Sequence, residues 1–76
     1  MVNDEELNAE DRIIEAAADV FEERGYEGAR MQQIADKAGM NKALLHYYFR
    51  SKDLLFEKVF LKVAGKIFLK FFDSFN

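Results

Sequence analysis

The run AGMNKALLHYYFRSKDLLF, residues 38–56, holds two helix boundaries and the short helix between them. Gly39 reads as a stop, because glycine takes the left-handed conformation that ends a helix at no steric cost. Asn41 follows as an N-cap whose side chain can accept from the first free amides. Met40 before it and Leu45 four residues after it have the spacing of a hydrophobic staple. The helix so bounded covers about residues 42–48, two turns, too short to be stable by itself. Leu45 and either Tyr48 or Phe49 point toward a core, which leaves Lys42, Ala43, Leu44, His46 and Tyr47 outside. A two-turn helix that shows rings and a lysine to solvent makes sense as an element held out to touch something. Ser51 then caps a further helix with Lys52 and Asp53 in its first turn. Asp53 suits the positive end of a helix and Lys52 does not, so a purpose other than helix stability places the lysine there.

Working outward, Met31, Ile34, Ala35 and Ala38 make a compact apolar stripe, which predicts a second helix over about residues 31–38. Ala35 is small enough to let a neighbouring helix approach closely. Gly28, Ala29 and Arg30 offer no short side-chain acceptor, so the first amides of this helix are expected to meet water or an anion. Upstream, Ile13, Ile14, Ala17, Val20 and Phe21 recur at helical spacing, with Asn8 as the expected cap and Gly25 as the expected stop. Tyr26 is expected to fold back on the last turn as a scaffold residue. The helix opening after Ser51 continues past residue 70, because Gly65 weakens it without ending it. Lys58, Lys62, Lys66 and Lys70 form its solvated stripe, and almost everything else on it is apolar. A small three-helix core covers Leu55, Phe56 and Val59 but cannot also reach Phe68, Leu69, Phe71, Phe72 and Phe75. That second surface is expected to meet a partner: a domain absent from this chain, then a second copy, then a membrane surface.

The 76 residues have room for one domain. Half are hydrophobic and a third are charged, the profile of a folded chain, and there is no proline. The absence of cysteine excludes a disulfide scaffold, thiolate chemistry and a cysteine-built zinc site. The opening MVNDEELNAEDR is acidic and polar, unlike a signal or transit peptide, and no apolar run has transmembrane length. The organisation expected is an acidic flexible segment over 1–8, a helical domain over 9–56, and over 57–76 the remainder of its last helix with the start of a further, truncated domain. The net charge of −3 conceals a strong asymmetry. Residues 1–29 carry −8, residues 30–52 carry +4 through Arg30, Lys37, Lys42, Arg50 and Lys52 against Asp36, and residues 53–76 carry +1. A central basic segment can lie against phosphates while the acidic flank faces away.

Two short helices separated by glycine, the second capped by Asn41, describe a helix-turn-helix, in which the second helix enters the major groove and the first braces it. An enzyme is not expected. No nucleophile–base pair is present, and His46, the single imidazole, has no partner for a metal site. No cofactor is called for. The rival class is a small helical protein-interaction module that works through the apolar C-terminal helix.

Residues 12–56 resemble the N-terminal DNA-binding domain of the tetracycline-repressor-like (TetR/AcrR) family of bacterial transcriptional regulators. The likeness rests on Ile14, Ala17, Phe21, Gly25-Tyr26, Met31, Ile34-Ala35, Ala38-Gly39-Met40, Leu45, Tyr47-Tyr48-Phe49, Ser51-Lys52 and Leu54-Leu55. It implies an all-α fold, a three-helix bundle with a helix-turn-helix and a long fourth helix leading into an all-helical ligand-binding domain. It further implies a cytoplasmic homodimer that reads an inverted-repeat operator in double-stranded DNA, with a small hydrophobic inducer bound by the second domain and no membrane role. Position by position, Lys42 resembles the early recognition-helix residue that meets backbone or base edge, and Ala43 a small residue that lets the helix lie close. Leu44 stands where the family often has threonine; it cannot donate, but it suits a thymine methyl. His46 and Tyr47 keep rings where the family has them. Tyr48 and Lys52 match phosphate contacts, and Gln32 a base or phosphate contact. Arg30 replaces a customary hydroxyl residue, giving up a cap for a longer reach.

Overall fold

The computed structural model describes the backbone of residues 4–74 and the side chains of residues 8–74. Four helices follow in order: α1 (Asp4–Gly28), α2 (Met31–Ala38), α3 (Lys42–Tyr48) and α4 (Lys52–Ser74). The second and third have the bounds that periodicity and capping predict.

The first begins earlier. Asp4, Glu5 and Glu6 fall in the opening turn of α1, where the positive helix end favours carboxylates, so the helix starts at Asp4 and not after Asn8. Residues 4–8, expected as a segment ahead of the domain, are helical. At the other end Gly25 has φ 72° and ψ 170°, which breaks the helix as expected of a glycine there. One loose turn follows before the chain enters α2, held by the Ala29 N–H donating to the Gly25 carbonyl at 3.1 Å.

The α2–α3 corner is built by local chemistry. Gly39 is left-handed at φ 75°, ψ 35°. Its N–H donates to Asp36 O at 3.1 Å and that of Met40 to Ala35 O at 3.0 Å, the two bonds of a Schellman ending. Asn41 Oδ1 then accepts from Leu44 N–H at 2.7 Å and opens α3. At the start of α2 Arg30 makes no side-chain cap, as the lack of a short acceptor there predicts. Gln33 turns back so that its Oε1 accepts from Arg30 N–H at 2.9 Å, the carboxamide half of a capping box.

Each helix sends one large side chain to complete burial: Ile13 from α1, Ile34 from α2, Leu45 from α3 and Leu55 from α4. Ala17 and Ala35, also fully buried, let α1 and α2 approach closely. Phe49 joins the same cluster, with Met40 and Tyr48 packed at its edge. The α1–α2 pair is further tied by Arg12 Nε donating to Ala38 O at 3.3 Å and by Lys37 between Asp19 and Glu23 at 3.6 and 3.5 Å. Tyr26 folds back as expected, its ring against Phe21 of α1 and Phe56 of α4 with centroids at 6.1 and 5.2 Å.

Helix α4 runs unbroken through Gly65 to Ser74. Its buried line is Leu55 and Val59, and at helical spacing that line continues as Lys62, Lys66, an exposed Leu69 and Asp73. The core therefore ends where polar residues take over its face. Lys62 makes an exposed ion pair with Asp11 of α1 at 3.7 Å. Phe60, Leu61, Ile67, Phe68, Phe71 and Phe72 fall elsewhere around the helix, and they and Leu69 are all exposed, the apolar excess foreseen in the sequence. Phe75 lies outside the described residues. No described helix is long and apolar enough to cross a membrane.

Candidate nucleic-acid interface

Asn41 fixes the first turn of α3 while Leu45 and Phe49 anchor its inner side. What remains outward is Lys42, Ala43, Leu44 and Tyr47, with His46 half-buried. Tyr47 is 77% exposed, a large ring with no core function. Tyr48, half-buried, stands edge-on to it at 5.3 Å between centroids.

The short helix is flanked by two depressions of different make-up. On one side Arg30, Gln32, Lys42, His46 and Lys52 line a single hollow together with Ala29 and Met31, and no carboxylate enters it. Residues separated by up to 22 positions in sequence are thus brought to one basic surface, as the charge asymmetry predicts. His46, Tyr47 and Arg50 line a second, smaller hollow. Arg50 was counted in the basic segment but not singled out from the sequence. Its position in the α3–α4 connection gives no periodic signal, and only the folded chain sets it beside Tyr47.

Two of the polar side chains already have partners. Gln32 Nε2 donates to Asp36 Oδ1 at 2.8 Å, which holds the carboxamide along α2 and uses the one acid of the basic segment. The Nδ1 of His46 lies 3.3 Å from the Arg50 carbonyl; with hydrogen on that nitrogen the ring donates there and leaves Nε2 as an acceptor.

Lys52 differs most from the sequence reading. Its ammonium donates to Tyr26 O at 2.7 Å and to Ala29 O at 3.1 Å, and it sits 4.4 Å from the centre of the Tyr26 ring. The purpose inferred for a lysine in this first turn is, at least in part, internal: it holds the α1–α2 corner.

A short capped helix braced by a second one, presented between basic hollows, is the arrangement of a helix-turn-helix DNA-binding domain. The profile of the family described as bacterial regulatory proteins, tetR family, matches residues 13–59. The chain belongs to that family, and what it contains is the family's N-terminal DNA-binding domain. It is 39% identical over 61 residues to the HTH-type transcriptional repressor NicS of Pseudomonas putida, an alignment that covers 80% of this chain and 27% of that protein. It is 43% identical over 51 residues to the HTH-type transcriptional regulator RutR of Escherichia coli, covering 67% of this chain and 24% of RutR. Among solved structures, an HlyIIR mutant protein superposes with a TM-score of 0.73 at 42% identity, over 75% of this chain and 31% of that one. The chain thus spans 24–31% of the length of these relatives.

Proposed function

We propose that this domain serves a ligand-responsive transcriptional repressor that acts in the cytoplasm as a homodimer and reads an inverted-repeat operator. Helix α3 enters the major groove. Lys42 meets a base edge or phosphate near the start of the helix, Ala43 permits close approach, Leu44 packs on a thymine methyl, and His46 and Tyr47 present their rings to bases or backbone. Arg30, Gln32 and Lys52 meet the phosphates on one flank and Tyr48 those on the other, where Arg50 joins it. The observation that carries this reading is the hollow shared by Arg30, Gln32, Lys42, His46 and Lys52 beside an α3 whose outer side is solvent-facing. Relatives named as a repressor and as a regulator support it.

The exposed apolar side of α4 is then the surface on which a second, all-helical domain packs. That domain would hold a small hydrophobic inducer and supply the dimer contact, and α4 would carry its movement to the two α3 helices. For adjacent major grooves these must stand about 34–36 Å apart. The 76 residues alone bind duplex DNA weakly and with little sequence preference, since nothing in them fixes that spacing. Selection of duplexes from a random pool by the full-length dimer tests the reading. Enrichment of an inverted repeat is the expected result. No enrichment even at low salt, with tight binding to a helical protein partner, would replace it by an interaction module working through α4.

A further inference from the structure

Lysine in the first turn of a helix is electrostatically misplaced with respect to that helix. In this chain the ammonium of Lys52 lies at the end of another. The hydrogen-bond ladder at the close of α1 ends with Ala29 N–H on Gly25 O. The next rung would join Arg30 N–H to Tyr26 O, but Arg30 N–H donates to Gln33 Oε1 instead, as the cap of α2. Capping the second helix therefore takes that donor away from the Tyr26 carbonyl, in the loose turn that follows Gly25. Lys52 supplies one, at 2.7 Å, and extends a second bond to Ala29 O on the doorstep of α2. A charged donor makes the stronger hydrogen bond to carbonyls that no backbone N–H serves. The ring of Tyr26 lies beneath the ammonium and is itself wedged between Phe21 of α1 and Phe56 of α4.

We propose that Lys52 is a positioning residue for DNA binding: its ammonium latches the α1–α2 corner to the first turn of α4 and so sets where Arg30 and Gln32 stand relative to α3. The proposal rests on the DNA-binding reading above and deepens it. An ammonium has three protons, and the two carbonyls engage two, which leaves one for a phosphate. Lys52 thus joins the backbone contact to the corner that orients the contact residues of α2. Displacement of the start of α4 is felt at Arg30 through this latch, not only at α3.

Three measurements test it. In the 76-residue chain, nitrogen-15 spectra of the lysine ammonium groups should show Lys52 protected from solvent exchange while exposed Lys58, Lys66 and Lys70 are not. Lys52→Met keeps the stem and removes the charge. In this variant, without DNA, the amides of Ala29 and Ile34 on either side of the latch should exchange about tenfold faster. In the full-length dimer, affinity for the selected duplex, extrapolated to 1 M salt where counterion release no longer contributes, should fall about tenfold in fully folded Lys52→Met. A residue that only stabilised the fold would leave that value unchanged. One that only neutralised a phosphate would lower the salt slope by about one and leave amide exchange as it was. Either result overturns the proposal, as does an unprotected Lys52 ammonium in the unaltered chain, which decides the matter even if the variant fails to fold. Should selection recover no duplex, the DNA-binding reading fails by that result, while the ammonium and amide measurements still decide whether the latch exists.

Discussion

Phe49 marks the point where α3 ends and the core begins. Its N–H closes the helix on Leu45 O at 2.8 Å, its backbone turns extended at φ −137°, and its ring is buried in the cluster that holds Leu45 and Leu55. Phe49→Ala removes that ring from the buried cluster to which all four helices contribute and costs about 3–5 kcal/mol through the cavity left behind. A domain of this size has on the order of 4–11 kcal/mol to lose, so a large share of its stability goes with one side chain. Circular dichroism during a urea titration should show the midpoint collapse, and DNA binding should vanish because the domain unfolds. A fully folded variant that no longer binds would contradict this account of how α3 is held. At this scale the sequence was informative wherever the chemistry is local, as at Asn41, Gly39 and Ser51. It misled where the partner of a side chain lies far along the chain. Lys52 bonds to carbonyls 26 and 23 positions away, and no spacing rule announces that.

Between residues and the whole stand the caps. α3 has seven residues and would not persist as an isolated helix, so its ends are set by Asn41 and Phe49 and its inner side by Leu45. Asn41→Ala removes the acceptor that meets Leu44 N–H and should cost about 1 kcal/mol of domain stability. Hydrogen exchange should show the loss concentrated at Leu44, with the amides of α2 little changed; an even loss across all four helices would mean that the cap does not act locally. The bounds of α2 and α3 were legible because glycine and asparagine punctuate them. The start of α1 was not, because Asn8 is an acceptable cap inside a run of acids that also favours an earlier helix end. The bond from the Arg30 N–H to Gln33 is illegible for a related reason: its acceptor comes from inside the helix and not from the residues before it.

The molecule as a whole is two-faced in charge and divided in hydrophobicity. Ten acids lie in residues 1–29; of the +4 segment, Arg30, Lys42, Arg50 and Lys52 stand beside α3 while Lys37 pairs with Asp19 and Glu23 of α1, so the surface at α3 is the one that favours a polyanion. Along α4 the division falls near Val59, where the line that meets α1 turns from Leu55 and Val59 to Lys62 and Lys66. Exposed residues beyond that point, such as Leu61 at 56% and Phe68 at 59%, add little to the stability of the four-helix head. The Phe68 ring meets Phe72 of its own helix, centroids 4.7 Å apart. Replacing Leu61, Phe68 and Leu69 together by glutamine should therefore leave the urea midpoint of the chain nearly unchanged, within about 0.5 kcal/mol for each site, as for substitutions away from a core. The same variant should bind less of a dye that reports exposed apolar surface, and in the full-length protein it should disrupt whatever packs on α4. A loss of several kcal/mol in the 76-residue chain would show instead that this half of α4 belongs to the core of the head. In that case the polar line through Lys62 and Lys66 would not be the boundary of the folding unit, and α4 could no longer act as a connection between a self-sufficient DNA-binding head and a separate partner surface.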